Sequence, residues 1–144
     1  MDNPFNQEIS IKAMIGAGVT IIALALMPYF LSQSPSVDEM MVKAASEFNK
    51  SCPFMVDQVT RSDNAVALPG KIFQYNYTLI NLDVASIEIE EVKKNLEPQL
   101  INNVKTNPGL KLFRDKKITM IYYYKDISGN FLFKIYVGPE QYDK

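Results

Sequence analysis

The run Lys71-Ile72-Phe73-Gln74-Tyr75-Asn76-Tyr77-Thr78-Leu79 decides the fold class. Large apolar and polar side chains alternate along it at a period of two, which is the repeat of a half-buried strand. Pro69-Gly70 forms a turn signal just before it, and Val66 and Leu68 lie before the turn, so two antiparallel strands are predicted. A second hairpin is predicted from residues 118–125, a Ser128-Gly129-Asn130 turn and residues 131–137. Phe73, Tyr75, Tyr77 and Leu79 fall on one face with Ile118, Met120, Tyr122 and Tyr124, and with Phe131, Phe133, Ile135 and Val137. That is the predicted core face. The opposite face offers Gln74, Asn76 and Thr78, then Thr119, Ile121, Tyr123 and Lys125, then Leu132, Lys134 and Tyr136.

Helices are read around these hairpins. Ser36 with Glu39 three residues on is a capping box, and Val37, Met40, Met41, Ala44, Ala45 and Phe48 share one helical face after it. The helix should end near Asn49, because Pro53 disfavours helix just before it. Ser86 introduces a second helix, with Glu88, Glu90 and Glu91 in the first turn, where the helix dipole favours acids. Ile89, Val92, Leu96, Leu100 and Val104 are its buried stripe, and Pro98 should kink it. Asn107-Pro108 is a cap followed by proline, which predicts a short extra helix to about Arg114. The order α-β-β-α-β-β predicts an α+β domain, an antiparallel sheet with helices on one face.

An uncharged apolar run precedes this domain. Residues 13–31 read AMIGAGVTIIALALMPYFL, long enough as a helix to cross a bilayer. A secretory signal fits less well, because the preceding segment carries Asp2 and Glu8 against Lys12 alone. The organisation is therefore read as a cytoplasmic N-terminus at 1–12, a transmembrane helix at 13–31, a linker at 32–36 and an extracytoplasmic domain at 37–144. Lys12 before the span, with Asp38 and Glu39 after it, sets that orientation; taken with the family resemblance given below, the expected location is a bacterial inner membrane with a periplasmic domain. A type IV pilin is set aside, since the apolar run has no acid at its start.

Composition removes whole classes of chemistry. The chain has 144 residues, no His, no Trp and one Cys, with 15 basic residues against 16 acidic ones. Without His there is no Ser-His-Asp or Cys-His pair and no imidazole ligand for a metal. One Cys rules out an internal disulfide and any CxxC site. Near-neutral charge argues against nucleic-acid binding by counterion release. No cofactor and no metal are expected.

The densest polar cluster is Asn49-Lys50-Ser51-Cys52-Pro53-Phe54-Met55-Val56-Asp57-Gln58-Val59-Thr60-Arg61. Cys52 is a candidate nucleophile if Lys50 or Arg61 lowers its pKa, and otherwise a small buried residue at a corner. Asp57 pairs in principle with Arg61, or with Asp63 for acid-base work, and nothing in the sequence fixes either distance. Residues 126–130 share only superficial features with a calcium loop and sit where a hairpin turn is needed.

The cluster NKSCPFMVDQVTR, followed by LPGKIFQYNYTLIN and LEPQLINNVKTNPGLKLFRDKKITMIYYYKDISGNFLFKI, resembles a family of small secreted or membrane-anchored bacterial proteins of uncharacterised function. The resemblance runs from about Met41 to Val137. It implies an extracytoplasmic α+β domain with no established activity, and it singles out Asn49, Cys52, Pro53, Asp57, Thr60 and Arg61 as motif residues.

Together these readings favour a non-enzymatic, single-pass membrane protein whose outer domain binds other proteins, as an accessory subunit of an envelope complex. The expected partner surface is the mixed sheet face of Ile121, Tyr123, Lys125, Leu132, Lys134 and Tyr136, with aromatics beside lysines. Two alternatives stand beside it: a small-ligand binder or enzyme using the 49–61 loop, and a membrane-anchored immunity protein or inhibitor.

Overall fold

The computed structural model describes residues 36–144. The apolar run at 13–31 and its flanks lie outside the described residues; among the described residues no helix is long and apolar enough to cross a membrane.

Helix α1 (Val37–Asn49) starts at the expected capping box. The Glu39 amide donates to Ser36 Oγ and the Ser36 amide donates to Glu39 Oε2. It buries Met40, Met41, Ala44, Ala45 and Phe48, so both methionines fill the core. A two-residue strand, β1 (Phe54–Met55), leads into β2 (Thr60–Leu68) and β3 (Ile72–Leu79). The β2–β3 turn passes through Gly70 at φ 83°, a conformation that a residue without Cβ adopts freely. After a short 3-10 turn at Val84–Ser86 comes α2 (Ile89–Thr106), then a second 3-10 turn at Pro108–Leu110 and the short α3 (Lys111–Asp115). Strands β4 (Thr119–Asp126) and β5 (Phe131–Val137) form the second hairpin, and α4 (Pro139–Tyr142) ends the chain.

Ser86 belongs to the 3-10 turn and does not cap α2; Glu88 holds the cap position without a side-chain hydrogen bond. The helix continues through Pro98, which stays exposed while Val92, Leu96, Leu100 and Val104 are buried. Its C-terminus is closed by Arg114, whose Nη1 donates to the carbonyls of Val104 and Asn107, each at 2.7 Å.

The five strands lie in chain order, β1-β2-β3-β4-β5. The sheet is mixed, which corrects the expectation of an antiparallel one. Strands β3 and β4 pair in parallel, with Ile72 opposite Thr119 and Leu79 opposite Asp126, while the other pairs are antiparallel. The reason lies in the connection between the hairpins. An 18-residue helix is about 27 Å long, close to the length of an eight-residue strand, so α2 returns the chain to the end where β3 began. The next strand then runs the same way as β3.

The helices cover one face of this sheet, as expected. Phe48 of α1 packs edge-on against Tyr75, and Phe113 of α3 against Phe73. The two central strands meet in aromatic rows, Tyr75 beside Tyr122 at 5.5 Å, and Tyr77 beside Tyr124 at 5.0 Å with Phe133 next in line. Phe131 departs from the expected core face. It is 53% exposed, because β5 carries an extra residue between Tyr124 and Lys125 of β4. At that bulge Leu132 and Phe133 both turn toward the core, and the alternation reverses for Phe131.

Candidate functional site

The 49–61 segment does not gather its polar residues at one place. Asn49 ends α1 and reaches the edge of β2, where Nδ2 donates to the Ala65 carbonyl at 2.9 Å and Oδ1 accepts from the Ala65 amide at 2.7 Å. The side-chain amide thus stands in for a neighbouring strand at a position that β1 does not reach. Cys52 is half-buried, with Sγ 3.6 Å from the Phe48 carbonyl, and its peptide bond to Pro53 is cis. Burial raises the Cys52 thiol pKa, and the Asp63 charge adds to this against a smaller lowering by the nearby Ser62 side chain. A thiol held in this way is a weak nucleophile at neutral pH.

Asp57 closes the turn into β2. Its Oδ1 accepts from the amides of Val59 and Thr60, at 2.8 and 2.7 Å, an Asx turn that sets the start of the strand. Thr60 begins β2 with its side chain toward the core, and Arg61 points to the other face, opposite Thr78. Cys52 packs against the core and the Asp57 charge lies near the core-facing Tyr124, both on the helix side of the sheet, whereas Arg61 lies on the open side. Among the described residues no group of three or more Cys, Asp or Glu side chains is placed to hold a metal.

The open face has a regular layout because the strands are in register. One row runs Arg61, Thr78, Lys125, Phe131; the next Asn64, Asn76, Tyr123, Lys134; the next Val66, Gln74, Ile121, Tyr136. No helix covers it. A bulge in β2 adds Asp63 to the first row, where its carboxylate collects three donors. Arg61 Nε donates to Oδ1 at 2.6 Å, Thr78 Oγ1 donates to Oδ2 at 2.5 Å, and Lys125 Nζ stands 3.2 Å from Oδ2. Burial alone would raise the Asp63 pKa; the hydrogen bonds from Thr78, Arg61 and Lys125 outweigh it and hold the carboxyl below its usual range. Beside this knot, Gln74 donates to Asn76 and Asn76 to Asn64, a chain of amides across two strands.

The rest of the face is aromatic and cationic. Tyr123 and Phe131 meet at 5.2 Å, and Lys134 Nζ lies 5.1 Å from the centre of the Tyr136 ring. Tyr136 is 46% exposed, whereas Ile121 is buried between its neighbours. Of the six residues expected to form a partner surface, Ile121, Tyr123, Lys125, Lys134 and Tyr136 share this face. Leu132 does not; the β5 bulge turns it inward and puts Phe131 in its place. Sequence reading also missed Arg61, Asp63 and Asn64 as members of the face, because β2 begins at Thr60, well before Val66. The alternation of Arg61, Asp63 and Asn64 with Thr60, Ser62 and Ala65 carries that signal, with one step broken by the bulge.

The fold has solved counterparts. A crystal structure of a Pseudomonas aeruginosa protein described as secreted superposes with a TM-score of 0.61 at 13% identity, over 76% of this chain and 98% of that one. The pilotin EpsS of the Vibrio vulnificus type 2 secretion system gives 0.59 at 8% identity, over 74% and 91%. The type II secretion system pilotin AspS from Vibrio cholerae gives 0.55 at 15% identity, over 73% and 91%. At such identities these are likenesses of fold. No curated protein matches the sequence. By its sequence from residue 36 to residue 133, the chain belongs to the family described as a domain of unknown function, DUF8479.

Proposed function

We propose that this protein is a non-enzymatic accessory subunit of a bacterial envelope complex, and that it binds a protein partner through the open face of its sheet. The observation that carries this reading is the face itself: Tyr123, Phe131 and Tyr136 stand beside Arg61, Lys125 and Lys134 on a surface that no described element covers. Rigid aromatics next to cations supply large contact area at low entropic cost. The pilotin folds of EpsS and AspS support an accessory role in a secretion complex, with the secreted Pseudomonas protein in line with an envelope location. Residues 13–31 act as the anchor in this reading, with 1–12 in the cytoplasm and 37–144 in the periplasm.

The 49–61 motif has a structural role here. Asn49 guards a strand edge, Asp57 sets the start of β2, and Arg61 belongs to the open face. An enzyme or ligand pocket needs Cys52, Asp57 and Arg61 together, and they lie on two sides of the sheet.

The test is recovery of a stable partner with the tagged full chain from its native membranes, compared with the Tyr123→Ala, Tyr136→Ala double variant. The expected result is a stoichiometric partner lost in the variant while the variant's thermal melt stays near that of the parent. A chain recovered alone, or a partner retained equally by both, overturns the reading. Protease accessibility in spheroplasts tests the topology, since digestion only after the inner membrane is opened reverses the orientation.

A further inference from the structure

The two edges of the sheet are treated differently. At the β2 edge, β1 pairs with Arg61 and Ser62, Asp63 bulges out of register, and the Asn49 amide occupies both backbone groups of Ala65. These are devices that stop a strand edge from pairing with another chain. The β5 edge has one such device, the bulge at Leu132 near its start, and beyond it residues 133–137 carry no bulge and no covering strand or side-chain amide among the described residues. Among the described residues, strand β5 pairs with β4 alone, over the sequence Phe131-Leu132-Phe133-Lys134-Ile135-Tyr136-Val137.

The direction of its backbone groups follows from the ladder. The Thr119 amide donates to the Lys71 carbonyl, so Thr119, Ile121 and Tyr123 turn their backbone toward β3, and Met120, Tyr122 and Tyr124 turn theirs toward β5. Tyr123 opposite Lys134, and Ile121 opposite Tyr136, are then the pairs without mutual hydrogen bonds. The N–H and C=O of Lys134 and Tyr136 point away from the sheet, and no described residue bonds them. Lys134 is the one charge in these seven residues, and with exposed Phe131 and Tyr136 beside it this edge is only lightly blunted.

We propose that β5 is a strand-addition site: an extended segment of a partner protein pairs with it through the backbones of Lys134 and Tyr136. This rests on the protein-binding reading above and gives its mode of contact. The chemistry of the segment follows from the face it extends. Its side chain beside Lys134 lies on the open face, which carries Arg61, Lys125 and Lys134 against Asp63 alone, so that position calls for an acid. The alternate side chains fall beside the apolar Phe133, Ile135 and Val137. A second copy of this chain fits less well, because it doubles the cationic excess along the shared face.

The test uses the full chain and synthetic nonapeptides that alternate valine and threonine, with Glu, Gln or Lys at the centre. Binding is read by fluorescence anisotropy and by slowing of Lys134 and Tyr136 amide exchange. The Glu-centred peptide should bind at least about 10-fold more tightly than the Lys-centred one, a difference of about 1.4 kcal/mol. Tyr136→Pro removes an outward amide at an edge position that tolerates proline, and should weaken binding about 10-fold or more. Lys134→Glu, which leaves the backbone untouched, should reverse the preference toward the Lys-centred peptide. No binding by any peptide up to about 1 mM overturns the inference. So does equal binding of the Glu and Lys peptides, or a concentration-dependent dimer that Tyr136→Pro dissolves. Partner recovery through Tyr123 and Tyr136 reads the face and peptide binding reads the edge, so either can fail while the other holds.

Discussion

Asn49→Ala isolates the edge-guarding role of the motif. The side chain gives one hydrogen bond to the Ala65 carbonyl and takes one from its amide, and these tie the end of α1 to a strand 16 residues further on. Ala65 is 1% exposed, so water cannot easily replace either bond. Each lost bond costs about 1 kcal/mol net, and a buried backbone group left unpaired costs about 1–3 kcal/mol. Allowing for relaxation of an edge strand, the variant should lose about 2–3 kcal/mol. In a domain of this size that lowers Tm by about 8–12 °C. The assay is urea unfolding followed by circular dichroism, with the thermal melt as a second measure, and the m-value should not change. Asn49→Asp sharpens the test, because it keeps the acceptor for the Ala65 amide but sets a carboxylate against the carbonyl. It should be at least as unstable as the alanine variant at neutral pH. A loss below about 0.5 kcal/mol for Asn49→Ala, or full stability for Asn49→Asp, would refute the argument that the paired bonds matter.

Other outcomes follow from the same contacts. Asp63 has a depressed pKa when folded, so its contribution is present above the unfolded carboxylate value of about 3.9 and fades as pH falls through the lower folded value. The stability gap between the parent and Asp63→Asn should therefore be full at pH 6 and shrink below about pH 4 in denaturant titrations; a gap independent of pH would contradict the Arg61–Thr78–Lys125 knot. The Tyr77 hydroxyl is buried with no hydrogen-bond partner among the described residues, so Tyr77→Phe should be neutral or stabilising by up to about 1 kcal/mol. A loss above about 1 kcal/mol in the same assay would mean the hydroxyl is satisfied. Cys52 in the folded chain should react with a thiol reagent at pH 8 at least about 10-fold more slowly than in the unfolded chain, since burial raises its pKa. Equal rates would remove that reason for excluding it as a nucleophile.

Much of this architecture was legible in the residues. The capping box at Ser36 and Glu39, the stripe of Val92, Leu96, Leu100 and Val104 in α2 and the existence of both hairpins follow from local chemistry. The parallel β3–β4 pair was not legible from periodicity, because alternation marks a strand's faces and not its direction. The length of the crossover carried that information: 18 helical residues match an eight-residue strand, which sends the chain back to its start. The start of β2 was hidden by polar residues, since Thr60-Arg61-Ser62-Asp63-Asn64 reads as loop until its partner strand supplies the hydrogen bonds. The 49–61 segment is adjacent in sequence but not gathered in space. Six residues clustered in sequence end up serving a helix end, a turn and two opposite faces of one sheet.

Two bulges explain the remaining departures, and they flank the same aromatic row. The β2 bulge lies against Tyr77 and the β5 bulge against Tyr124, which are neighbours at 5.0 Å in the centre of the sheet. Their effects are opposite. In β2 the extra residue sends both Asp63 and Asn64 to the open face, adding the acid that neutralises part of Arg61 and Lys125. In β5 it sends both Leu132 and Phe133 to the core and releases Phe131 to stand beside Tyr123. Strict alternation would instead bury Phe131 and leave Leu132 outside, with no aromatic pair next to Lys125. The charge on one margin of the open face and the aromatic contact on the other are thus both products of a single inserted residue in each outer strand. A change that removed either bulge would shift every side chain beyond it to the wrong face, so partner binding and core packing should fail together there.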